Sequence, residues 1–302
     1  MTTPLSPQAV RTPTGPRNRR AARLLRIAAA LSCCVHVAFA AAPQETRRVV
    51  DDPKTASARR NLLEALEEEE PNTAPIGAAW YRLADCLRNA DRHEESLQAG
   101  LRALDVYRKA GSTSLTTLVN AKSLVAGAYY WSDRAEEGFA FATTALMETE
   151  SQVGPTDPRL APLRFAAGGN AQKLLQLDDS ERLFRAALAC DGLPAFVRVR
   201  YADALAETLL AVGRPAEAFR HLAEASATLE TVRNPPPELR AQHAVIAAFA
   251  EAELGRFDAA SERLKTALAA WRELPRPPAA DIGGTLAHLA QLADARGLLD
   301  EA

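Results

Sequence analysis

The sequence predicts an all-α chain, an α-α superhelical solenoid of stacked antiparallel helix pairs, and three observations carry that prediction. First, the stretch Gly213-Arg-Pro-Ala-Glu-Ala218 returns as Gly255-Arg-Phe-Asp-Ala-Ala260 and as Gly297-Leu-Leu-Asp-Glu-Ala302, each copy 42 residues after the last. A fixed period of roughly 20–50 residues marks an array of supersecondary units. Second, Ala, Leu, Arg and Glu dominate and only 6% of residues are aromatic, a composition that favours helices over strands. Third, no segment alternates apolar and polar residues over a two-residue period, as a half-buried strand would. At 302 residues one core would be near its size limit, which an elongated array avoids.

The chain opens with a leader. Residues 1–42 carry six arginines and no acid, and Ile27–Ala40 is an uncharged apolar run of 14. Ala38-Phe39-Ala40 and Ala40-Ala41-Ala42 both fit an A-x-A cleavage pattern. Basic region, short apolar core and small-residue site together read as a secretory signal peptide. The run falls short of the ~20 residues a membrane-spanning helix needs, so no permanent membrane span is expected. The protein is therefore expected to be exported, periplasmic or secreted, after cleavage near Ala40 or Ala42. Without the leader, 30 basic residues face 38 acidic ones, a net of −8, and no basic stripe suggests nucleic acid as a partner.

Residues 43–75 read as a polar linker and one helix, Ala56–Glu70, with Leu62, Leu63 and Leu66 at helical spacing before Pro71. The acidic run Glu67–Glu70 cannot converge on one cation, because successive helical side chains point around the circumference. From Ile76 to Ala302 the pairs follow, about five and a half of them. In the first, Trp80, Leu83, Ala84 and Leu87 precede Ser96, Leu97, Ala103 and Leu104. Asp91 can cap the second helix there, with Glu94 completing a capping box. Asp133 lies 42 residues after Asp91 and marks the second turn. The third turn falls near Leu175–Asp178, and Gly213 follows 38 residues after Leu175, which places a four-residue deletion near Cys190–Pro194. Gly213 suits a left-handed helix stop and Pro215 the first turn of the next helix. Small residues at the crossing points (Ala84 with Ser96, Ala126 with Gly138, Ala206 with Ala218, Ala248 with Ala260) allow close helix approach, while Leu87, Tyr129 and Leu209 fill the space towards the next pair. The last helix, Leu286–Arg296, would expose Leu289, Leu292 and Ala293.

Trp80-x-x-Leu83-Ala84-x-x-Leu87 followed by Ser96, and Gly213…Ala218-x3-Leu222 with Gly255…Ala260-x3-Leu264, resemble the tetratricopeptide repeat (TPR). The 42-residue spacing and the loop Gly154-Pro-Thr-Asp-Pro158 are similar to the longer, kinesin-light-chain-like variety. The resemblance covers residues 76–302. It implies that the first helix of each pair lines a concave groove for another protein or a peptide segment. By that match the exposed groove positions are Tyr81, Asp85, Arg88 and Asn89 in the first repeat, and Asn120, Ser123, Tyr130 and Trp131 in the second. Phe165, Gln172 and Lys173 follow in the third, then Arg200, Asp203 and Glu207 in the fourth. Tyr130-Trp131 stands out, since adjacent large aromatics cannot both enter one core stripe and aromatic anchors typify binding hot spots. The paired Lys/Asn/Arg clamp of chaperone-binding TPRs is not evident.

Chemistry finds little support. His36, His93, His221, His243 and His288 form no metal-binding spacing, and Gly168-Gly169 and Gly283-Gly284 lack the pattern of a phosphate loop. No nucleophile elbow occurs. Neither cofactor, metal nor small-molecule substrate is expected, although separated His and Asp residues could still meet in space. Cys86 and Cys190 sit in different helices, where core packing is favoured over the disulfide that an oxidising compartment would allow. Two function classes follow: a non-catalytic interaction scaffold, or a sensory/regulatory repeat segment of a longer polypeptide cut at Ala302.

Overall fold

Alanine-rich stretches with apolar residues on one side fold here as helices bounded by Pro, Gly and Asp. The computed structural model describes residues 51–69, 72–111, 113–274 and 277–295, which fall within one compact unit, Ala42–Ala302. The expected leader and the turn Gly297–Ala302 lie outside the described residues. Among the latter are twelve α-helices and no strand. A lone α1 (Pro53–Glu68) precedes five pairs: α2 (Ala74–Asn89) with α3 (His93–Ala110), α4 (Leu115–Trp131) with α5 (Ala135–Val153), α6 (Ala161–Lys173) with α7 (Leu177–Leu188), α8 (Ala195–Ala211) with α9 (Pro215–Glu230), and α10 (Pro237–Glu253) with α11 (Phe257–Arg272). Helix α12 (Ala279–Ala295) follows, and a 3-10 turn, Pro158–Leu160, leads into α6.

The turn within each pair is one device repeated five times. Asp91, Asp133, Leu175, Gly213 and Gly255 all take left-handed backbone, with φ of 57°, 57°, 59°, 74° and 75°. The next residue then donates its N–H to a carbonyl five back: Arg92 to Leu87 at 2.9 Å, Arg134 to Tyr129 at 3.1 Å, Gln176 to Ala171 at 2.9 Å, Arg214 to Leu209 and Arg256 to Glu251 both at 2.8 Å. That bond closes a Schellman stop and satisfies an end carbonyl. Asp91 is therefore the stop of α2 and not the N-cap of α3. Arg92 takes the cap position without a side-chain cap bond, while Glu94 and Glu95 sit in the first turn, where the helix dipole favours acids.

The crossing points are as close as the small residues imply. Ser96 Oγ donates to the Ala84 carbonyl at 2.7 Å, and Ala206, Ala218 and Ala260 are wholly buried. The degraded third repeat obeys the same rule with Gly168, where a Cβ would come within 2.7 Å of the Phe184 ring. Leu87 shares a cluster with Leu124, and Leu209 with Ile246, Ala247 and Ala250, so these larger residues join one pair to the next. Successive first helices (α2, α4, α6, α8, α10) pack directly on one another and form the inner layer.

Three expectations change. Helix α1 packs through Ala58, Leu62 and Ala65, at i, i+4 and i+7, so Leu63 and Leu66 are exposed. The four missing residues shorten α7, which has 12 residues where α5 has 19 and α9 has 16. In α12, Leu292 is buried and Leu289 packs beside it against Ala248, Ala260 and Leu264, which leaves Leu286 as the exposed leucine.

Candidate partner-binding face of the first helices

The turn that ends each first helix fixes which side chains reach the inner layer. In the first repeat Tyr81, Asp85 and Arg88 are half-buried and Asn89 is exposed. Arg88 pairs with Asp85 at 2.5 Å, and burial, with Asp85 nearby, pushes the Tyr81 phenol up. Tyr81 and Asp85 also line a cleft of about 330 Å³ between α1 and α2, shared with Lys54, Ser57, Asn61, Arg82 and Cys86.

The second and third repeats bring the aromatic residues together. The Trp131 ring stands edge-on to Tyr130 at 4.9 Å and stacks on His93 at 5.6 Å, yet Trp131 remains 44% exposed. Lys173 reaches across from α6: its Nζ lies 4.7 Å from the Tyr130 ring centroid and donates to the Tyr130 carbonyl and Asp133, both at 2.6 Å. Burial is the main cause raising the Tyr130 phenol pKa and lowering that of His93. Asn120 is exposed, whereas Ser123 bonds the Val119 carbonyl of its own helix at 2.8 Å.

Further along, the expected surface turns inward. Phe165 is half-buried, stacked on Tyr201 at 4.3 Å and tilted against Phe184 at 5.5 Å, so it helps join the third repeat to the fourth. Gln172 donates to Thr208 at 3.3 Å, while Arg200 is exposed. Glu207 is half-buried with Gln172 as its hydrogen-bond donor, and desolvation, with Asp203 nearby, raises its pKa to about 7. Asp203 is not a surface residue: it is 5% exposed because His243 Nδ1 lies 2.6 Å from its carboxylate. The far ring nitrogen of His243 meets Ser226 Oγ at 2.7 Å.

Sequence reasoning missed this connection of α8, α9 and α10, although the period could have found it. Asp203 falls 38 residues after Phe165, Ser226 38 after Leu188, and His243 42 after Tyr201, so three polar residues replace an apolar trio one repeat on. Their order of contacts is that of a nucleophile, base and acid. However, Ser226 sits within α9, where neighbouring N–H groups are committed to carbonyls four residues back and cannot hold an oxyanion. The trio acts as an interhelical clamp.

Among the described residues no group of His, Cys, Asp and Glu could hold a metal ion, and no helix is long and apolar enough to cross a membrane. Cys86 and Cys190 are free thiols, and Cys190 packs in the core beside Ala161, Ala187 and Tyr201.

No family model matches the chain, and no curated protein matches it. Solved structures do. BtubC (BKLC) from P. vanneervenii superposes with a TM-score of 0.59 at 17% identity, over 74% of this chain and 93% of that one. The TPR-like repeats of a putative kinesin light chain from Podosopora anserina give 0.51 at 16% identity, over 66% and 96%. The APC/C hetero-tetramer Cut9–Hcn1 gives 0.56 at 12% identity, over 82% of this chain and 46% of that one. The fold of this chain is that of the tetratricopeptide-repeat solenoids, with the longer repeat of the kinesin-light-chain variety.

Proposed function

We propose that this chain is a non-catalytic scaffold that binds another protein or a peptide segment along the inner layer formed by α2, α4, α6 and α8. One observation carries the reading. Trp131, His93 and Tyr130 form an aromatic cluster at the end of α4, and Trp131 keeps 44% of its surface in solvent although the core of its pair closes without it. A rigid aromatic with a wet face supplies binding area at small entropic cost. Arg88, one repeat before Tyr130 in the same phase, adds a half-buried cation. The similar Cut9–Hcn1 structure is an assembly of two proteins, which fits the reading without naming a partner here.

The test is capture in the native host by crosslinking, followed by mass spectrometry, with Trp131→Ala/Arg88→Ala beside the parent chain. The double variant should keep its helical circular dichroism and lose most of the captured partner. Equal recovery of that partner by both proteins would reject the reading. We further propose export through the basic leader and apolar run of residues 1–42. The mature N-terminus should then begin just after Ala40 or Ala42, and protein found in the cytoplasm with residues 1–40 intact would reject export.

A further inference from the structure

Buried ionisable groups cost free energy that an apolar trio would not, and replacing such groups with well-packed apolar residues is often neutral or stabilising. The array contains its own comparison. Between the third and fourth repeats Phe165 stacks on Tyr201 at 4.3 Å, and Leu188 packs against the cluster that holds Tyr201. One joint later the equivalent positions hold Asp203, His243 and Ser226, bonded at 2.6 and 2.7 Å, with Asp203 and His243 5% and 4% exposed. We propose that the joint between the fourth and fifth repeats is a proton-sensitive coupling, closed while Glu207 keeps its proton beside the buried Asp203–His243–Ser226 network and loosened as that proton leaves.

Geometry supplies the argument. Asp203 and Glu207 lie one turn apart on α8, and His243 from α10 is the hydrogen-bond partner of Asp203 inside the joint. Arg200, also on α8, acts on Asp203 from an exposed position. Among the described residues the other elements add no Lys or Arg beside these carboxyl groups, and from α4 the Tyr130 phenol interacts with Glu207. From α6 Gln172 reaches Glu207 and Thr208, and from α7 Ser180 meets Thr208 at 3.1 Å. From α9 comes Ser226, while His221 lies 4.0 Å from Glu224, and Glu217 is held by Arg185 and Arg214. From α11 Arg263 pairs with Glu251 at 2.8 Å. Once Glu207 ionises, a second acidic group one turn from Asp203 carries charge inside the joint, and Arg200 beside it is exposed. Burial pushes both carboxyl groups up, which agrees in sign: stability from groups with raised folded pKa is present at low pH and lost as pH rises through the folded value.

The inference stands on the fold and does not depend on a partner. It is tested by hydrogen exchange of the full chain at about pH 6 and about pH 8, corrected for the intrinsic rate. Protection in α8 and α10 should fall by about tenfold across that interval, the equivalent of one pKa unit, while α4 and α6 hold theirs. The variant Asp203→Phe/Ser226→Leu/His243→Tyr, which installs the preceding joint's trio, should remove the fall when combined with Glu207→Gln. Should that variant fail to fold, Asp203→Asn/Glu207→Gln keeps the shapes and removes both carboxylates, with the same expected result. Unchanged protection in the parent chain, or an equal fall in a folded variant, would overturn the proposal.

Discussion

Leu175 occupies the one turn of the five in which a branched apolar residue stands where the others have Asp or Gly, at φ 59°. Left-handed backbone costs an ordinary residue roughly 1–2 kcal/mol, which glycine escapes. The side chain is 79% exposed, so its removal sacrifices little packing. Leu175→Gly should therefore stabilise the fold by about 1 kcal/mol and raise Tm by roughly 2–4 °C, and a thermal melt with a lower Tm would refute the assignment of strain. Glu207 gives a prediction with a pH sign. Its pKa is raised from 4.5 to about 7, mainly by desolvation. The stability it contributes is complete below its unfolded value and is lost as pH rises through 7. Glu207→Gln should leave Tm unchanged near pH 5 and raise it near pH 8, by an amount bounded at about 3 kcal/mol. Equal Tm shifts at both pH values would mean that the carboxylate is not desolvated.

At the scale of helices, the glycines divide into those the packing requires and those it does not. A Cβ at Gly168 would come within 2.7 Å of the Phe184 ring, whereas at Gly127, also inside a first helix, it would meet nothing within 4 Å. Gly168→Ala should cost about 1–3 kcal/mol by overpacking, and Gly127→Ala should gain up to about 1 kcal/mol of helix propensity. Urea unfolding of the two variants should shift the midpoint in opposite directions, and a common direction would sink the packing account. This contrast shows what the sequence made legible. The period located the turns, the crossing points and the phase of the five described pairs, because each depends on spacing and residue size alone. Spacing also identified which residues sit on the first helices. It did not tell an open position from one closed by the next repeat, because that depends on a partner 40 residues away. Phe165 and Asp203 were therefore expected at the surface, and their contacts with Tyr201 and His243 draw them inward.

In the molecule as a whole, stability is a sum of repeats and of the interfaces between neighbours, so a single weakened joint can uncouple the blocks on either side. The joint between the third and fourth repeats is the place to test this. Helix α7 has 12 residues, and across the joint Phe165 stacks on Tyr201. Truncating a buried aromatic costs roughly 3–5 kcal/mol, and the half-buried Phe165 belongs at the lower end. The three tryptophans lie on both sides: Trp80 and Trp131 before the joint, Trp271 after it. Exchanging Trp271 for Phe, or Trp80 and Trp131 together, lets fluorescence follow one block at a time. In a Phe165→Ala background the two blocks should unfold at separate urea concentrations, the block reported by Trp271 independently of the block reported by Trp80 and Trp131. In the parent chain the two reports should lie closer together. If they remain equally close after Phe165→Ala, coupling between repeats three and four runs through contacts other than the aromatic stack, and the role given to Phe165 at this joint fails.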